Sequence, residues 1–111
     1  VVPAEGLATA VVPGISKPLY EACPHTVGAI RSWASPRPED DGVSELAETL
    51  SALLPAKGRA RVGAELGWEF SLRMPVGDLK KLETLLGDRA EFEDATLLLK
   101  RLRAVKSEAE V

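Results

Sequence analysis

The sequence holds one cysteine and one histidine, Cys23 and His25, among 111 residues. A lone cysteine excludes an internal disulfide framework and makes a reducing cytoplasm the default setting. A metal site needs several ligands converging from fixed spacings. Cys23 and His25 stand two residues apart with no second such pair elsewhere. A thiol nucleophile at Cys23 would need His25 turned toward it and an acid to orient that base, and no acid is adjacent. The expected roles are therefore plain: Cys23 as a small buried residue at a helix end, and His25 as a turn residue opening a strand. No apolar run approaches the ~20 residues that cross a bilayer, and no secretory leader is visible. There is no basic excess either. The net charge is −3 and the pI about 5.2, which argues against a surface built to neutralise phosphates. Neither nucleic acid nor membrane is an expected partner. Internal repeats and low-complexity segments are also missing.

What remains is ordinary for one soluble domain: 45% hydrophobic and 28% charged residues. Val1-Val2-Pro3 and Leu7 to Val12 are β-rich and flank Ala4-Glu5-Gly6, which predicts a hairpin. A chain that opens inside a strand suggests lost upstream residues, the alternative being a processed terminus. Ser16 to Cys23, with Pro18 near its front, suits one or two helical turns. Thr26 to Trp33 reads as a strand. Val43, Leu46, Ala47, Leu50, Leu53 and Leu54 recur at helical spacing, with Asp40 and Asp41 placed to cap the helix and Pro55 to stop it. Arg59 to Leu66 alternates with period two, so one face of a strand should meet the core. Pro75 opens a helix with Leu79, Leu82 and Leu86 on one face, ended by Gly87. Glu91-Phe92-Glu93 is a short strand. Asp94 caps a last helix through Ala95, Leu98, Leu102 and Val105, with Lys100, Arg101, Arg103 and Lys106 near its carbonyl end. This helix, to Lys106, is expected to complete the core. Strands alternating with helices predict an α/β fold: a mixed, mainly parallel sheet with an N-terminal hairpin and helices packed on it.

Three stretches could carry chemistry. Lys57-Gly58-Arg59 lacks the spacing of a phosphate loop and reads as a polar turn. Glu39-Asp40-Asp41 could ligate a hard cation, but a helix start explains it without one. Gly67-Trp68-Glu69-Phe70-Ser71-Leu72-Arg73 puts two large aromatics in a loop between a strand and a helix, where binding surfaces are often built. Trp68, Phe70 and Arg73 are the candidate interaction residues, against the plainer reading that an aromatic covers the core edge.

Several segments follow one order: Arg61-Val62-Gly63-Ala64-Glu65-Leu66-Gly67, Leu79 to Leu82, Ala90-Glu91-Phe92-Glu93-Asp94-Ala95, and Leu98 through Lys106 into Ser107-Glu108-Ala109-Glu110-Val111. This series resembles the second half of the N-terminal domain of the creatinase, prolidase and aminopeptidase P family. There a strand with "IGxE" leads to a helix, then a short "xxxDA" strand runs into a helix ending "LRxxKSxxEI". Arg37 to Val43 and Leu72 to Pro75 are similar to a subgroup of that family. Val111 stands where Ile is usual, and Ala104-Val105 where "MV" or "AI" are common. The likeness is strongest from Arg61 onward. It implies an α/β domain with a ribonuclease-H-like motif, preceding a pita-bread catalytic domain. That second domain would hold two divalent metals (Mn, Co or Zn) through Asp, Asp, His, Glu and Glu. None of those ligands maps onto this sequence, and neither does the family's opening helix and "NIxYLTG" strand. The resemblance also implies a homodimeric parent.

On this reading residues 1–106 form an accessory domain, partial at its N-terminus, and residues 107–111 begin a link to a catalytic domain. Lys106, Ser107, Glu108 and Glu110 mark the junction. The domain would aid dimerisation and access to the active site of a metal-dependent Xaa-Pro peptidase, prolidase or creatinase-like hydrolase. It would do no bond chemistry itself. The alternative is a stand-alone module binding a small ligand or a protein through the Trp68–Phe70 loop.

Overall fold

A computed structural model describes residues 1–23, 27–69 and 71–111. The expected strand at 26–33 and the roles given to His25 and Phe70 thus fall partly or wholly on residues outside that description. The fold is α/β. Strands β1 (Thr9–Pro13) and β2 (Ala29–Trp33) flank helix α1 (Lys17–Glu21). Helix α2 (Val43–Leu53) then leads to β3 (Ala60–Ala64), α3 (Val76–Leu86), β4 (Ala90–Asp94) and α4 (Thr96–Ala104). Short 3-10 turns occupy Gly14–Ser16, Gly87–Arg89 and Glu108–Glu110.

Two strand–helix–strand units result, each closing a parallel pair. β1 pairs with β2 from Thr9↔Ala29 to Pro13↔Trp33, and β3 with β4 from Ala60↔Ala90 to Ala64↔Asp94. The sheet expectation needs correction here. Among the described residues the strands form two separate two-stranded sheets, not one mixed sheet. The N-terminal hairpin shrinks to one reciprocal pair of hydrogen bonds: the Thr9 amide donates to the Val1 carbonyl at 2.8 Å, and the Val1 ammonium to the Thr9 carbonyl at 2.6 Å. Pro3 explains why the ladder stops, since it has no amide hydrogen to continue it.

The core lies between α2, α3 and β4. Val43, Ala47 and Leu50 of α2 meet Leu82 and Leu86 of α3 and Ala90 of β4, with Val62 and Phe92 packed against them. The helical spacing read from the sequence therefore faces inward. On the strands, Ala10 and Val12 are the buried members of β1's alternation. Arg61 and Glu93 take the outer face, joined by two bonds of 2.6 Å. On the other unit Arg31 of β2 reaches Glu45 at 2.5 Å and Glu48 at 3.1 Å on α2.

The start of α2 divides the two acids that the sequence puts there. Asp40 lies two residues before the N-cap, and its carboxylate accepts from the Ser44 amide at 3.0 Å, so it satisfies a first-turn donor from outside the cap position. Asp41 instead accepts the Trp33 indole N–H at 2.7 Å, so it ties β2 to the loop and does not cap. Gly42, at the N-cap position, has φ 94°, and a Cβ there would lie 2.6 Å from the Trp33 ring. Glycine satisfies both constraints.

Asp40 is held down to about 2 by the Ser44 hydroxyl and amide, with Lys81 adding attraction at 3.5 Å. A carboxyl whose folded pKa lies below its unfolded value of 3.8 contributes stability that is complete above that value and fades as pH falls toward 2. Thermal unfolding of the wild type and of Asp40→Asn, followed from pH 5 to pH 2, should show a shallower loss in the variant. Parallel curves would remove Asp40 from the acid sensitivity.

Helix α4 departs furthest from expectation. It ends at Ala104 and does not finish the core: Leu97, Leu98 and Leu102 are each 60% exposed, and Val105 is 75% exposed. Thr96 is its buried residue.

Candidate functional site

Two places in the fold offer surface for a partner. The first is the corner where β3, β4 and α4 meet. Asp94 closes β4, and its carboxylate accepts from the Thr96 amide at 2.9 Å and the Thr96 hydroxyl at 2.5 Å. The Thr96 oxygen in turn accepts the Gly67 amide at 2.9 Å. Bonds from Thr96, then from the Leu66 and Gly67 amides, hold the Asp94 carboxyl below its ordinary range. This chain of bonds pins the loop after β3 onto the first turn of α4.

Trp68 projects from that loop and is 82% exposed. Trp68 therefore does not cover the core edge, while the same reading for Phe70 falls outside the described residues. The Lys100 ammonium of α4 sits 5.5 Å from the centre of its ring, a cation–π distance. Lys100 also meets Glu69 at 2.6 Å. Glu69 has φ 69°, a left-handed conformation uncommon for a side-chain-bearing residue. Loop and helix thus bring indole, ammonium and carboxylate together on one side of α4. Arg73 is exposed and makes no ion pair among the described residues. Phe70 lies outside the description.

The junction residues are all exposed. Val105, at the C-cap of α4, is extended, and Lys106 follows it. Ser107 then starts a new turn. Its amide and hydroxyl both donate to the Glu110 carboxylate, at 2.9 and 2.8 Å, completing a capping box. Glu108 stands in the first turn, where an acid suits the helix dipole.

The second place is an apolar cleft of about 560 Å3 on the open side of β3. Leu46, Leu50 and Leu54 of the α2 segment and Leu79 and Leu82 of α3 form its floor. Sequence reasoning missed this cleft, because periodicity tells which residues face inward but not whether they fill the space they face. It also missed Thr96, Lys100 and Glu69 as parts of the loop surface. An Asp-x-Thr at a helix start was the available signal for Thr96. The other two come together only through the fold.

Other candidates resolve simply. Cys23 is exposed just past α1, not buried as expected, and its amide bonds to the Tyr20 carbonyl at 3.1 Å. Lys57-Gly58-Arg59 is a turn with Gly58 at φ 86°. Among the described residues no three His, Cys, Asp or Glu side chains gather as a metal site, and no helix is long and apolar enough to cross a membrane. Comparison with family models, characterised proteins and solved structures finds no match for the chain.

Proposed function

We propose that this chain is the accessory N-terminal domain of a dinuclear-metal hydrolase of the creatinase, prolidase and aminopeptidase P type. It acts by docking and positioning, not by bond chemistry. The observation that carries this reading is α4. A helix with three leucines 60% exposed, followed at once by a newly capped turn, suits a domain whose last helix is covered by the next one. The ordered likeness from Arg61 to Val111 supplies the family. On this reading the two divalent metals belong to the catalytic domain, as the family resemblance implies. The parent would be a cytoplasmic homodimer, and this domain would help shape access to its active site and exclude water there.

Two measurements test the reading. The coding frame beyond Val111 should continue into a segment with spaced Asp, Asp, His, Glu and Glu; a stop codon there overturns the proposal. In the continuous protein, Leu98→Asp with Leu102→Asp should weaken domain docking and lower activity. In the 111-residue chain the same pair should change stability by no more than about 0.5 kcal/mol per site, because exposed positions tolerate substitution. A large stability loss in the short chain would mean that α4 is part of the core after all.

The exposed Trp68, stacked by Lys100, favours a second reading: a stand-alone module that binds a ligand or protein through this loop. A metabolite that raises the melting temperature of the wild type, but not of Trp68→Ala, would support it.

A further inference from the structure

The cleft beside β3 has a shape that a rounded small-molecule pocket would not have. Six consecutive residues of one wall, Ala60 to Glu65, line it. A pocket facing one side of a strand would touch alternate residues, since side chains alternate between faces. Contact with every residue in turn means that the cleft runs along the strand's backbone edge. The facing wall, Val1 to Ala4, is likewise consecutive. β4 contributes only Phe92, so the cleft lies on the side of β3 away from its partner.

Hydrogen-bond parity fixes which backbone groups face it. The Ala64 carbonyl accepts from the Ala95 amide at 2.8 Å, so Ala64 points toward β4. In an extended strand the amide and carbonyl of alternate residues point the same way. Ala60 and Val62 therefore also serve β4, while Arg61, Gly63 and Glu65 present their amides and carbonyls to the cleft. Such groups need partners if water is displaced. An extended backbone supplies donors and acceptors at the matching repeat, as in recognition by strand addition.

The side chains add polarity to the fit. The floor is leucine-rich, which suits apolar residues at every second position of an occupant. Glu65 lies on the wall, is half-buried, and has no ion pair among the described residues. A cationic residue on the occupant's other face would complement it. We infer that the cleft is a binding site for an extended peptide segment, alternately apolar and carrying Lys or Arg, which adds as a strand to the free edge of β3. This site is separate from the α4 surface and does not depend on the hydrolase reading.

Amide hydrogen exchange resolved by residue tests it, using the 111-residue chain and a blocked peptide, Lys-Val-Thr-Val-Lys-Val-Thr. At a peptide concentration ten times the Kd, exchange at Arg61, Gly63 and Glu65 should slow about tenfold. Exchange at Ala60, Val62 and Ala64, already bonded to β4, should not change. A peptide with Pro at its central position should give no such pattern. Glu65→Gln should keep the fold by circular dichroism and weaken binding of the basic peptide about two- to fivefold. Uniform protection, protection confined to α2 and α3, or none would overturn the proposal. So would the same alternating pattern arising without peptide as protein concentration rises, which would make the occupant a second copy of the chain.

Discussion

Leu82→Ala is expected to lower the stability of the chain by about 2–5 kcal/mol, the range for deleting a buried leucine side chain. Leu82 is the most buried large side chain, at 2% exposure, and it stands where α2, α3 and β4 converge. It shares one buried cluster with Val43, Ala47, Leu50, Leu86 and Ala90. Two of these are alanines, which cannot extend to fill a void. Leu82 also forms part of the cleft floor, so the space left by truncation would open onto that cleft. Small domains have total stabilities of about 5–15 kcal/mol, and each kcal/mol moves the melting temperature by about 4–8 °C in this size range. A fall of about eight degrees or more is the result to look for, read with urea midpoints at constant slope. A change as small as that expected for Leu98 on α4 would mean that the α2–α3 contact is not the centre of the core.

The contrast between Leu82 and Leu98 shows what the sequence could and could not tell. Both leucines belong to apolar patterns of helical period, and periodicity identifies a face without naming what covers it. For α3 the cover is α2, and the inward stripe of Leu82 and Leu86 is where the spacing puts it. For α4 no cover exists within the described residues, so the same kind of pattern leaves leucines in solvent. Strand signals behaved likewise. The period-two alternation of Arg59 to Leu66 located β3 and its faces, but pairing is a property of two strands. Pattern alone could not reveal that β3 pairs only with β4 among the described residues, or that the edge left over faces a cleft. The helix stops were legible because they rest on single residues with backbone consequences. Gly87, at φ 54°, ends α3 as expected.

The corner at Asp94 was half legible. Asp before a helix signals a cap, and Asp94 accepts from the α4 backbone two residues on. That the same group also anchors the loop after β3 needed the fold, since Gly67 and Thr96 lie 29 residues apart in sequence. The consequence joins structure to function. The exposed Trp68 and the helix that carries Lys100 are tied together by this knot as well as by the Lys100–Glu69 ion pair, so whatever binds there depends partly on groups it does not touch.

Gly67→Ala is therefore expected to be the most damaging single methyl addition at this surface. A Cβ on residue 67 would lie 2.5 Å from the Thr96 hydroxyl oxygen, 2.6 Å from an Asp94 carboxylate oxygen and 2.9 Å from the Thr96 Cβ. All three contacts are far inside van der Waals distance. Thr96 cannot simply swing aside, because it is buried and holds hydrogen bonds to both Asp94 and Gly67. Crowding of this kind costs about 1–3 kcal/mol where packing is tight. Losing the bond from the Gly67 amide would add to it, leaving a half-buried donor without its partner. The expected result is a clear drop in melting temperature, together with a change in tryptophan emission as Trp68 leaves Lys100. Thr96→Ala in the same background removes the nearest clashing atom, so the pair should be less harmful than the sum of the two single changes. Additive losses would show that the loop and α4 are not held through Thr96, and the surface built on that contact would have to be abandoned.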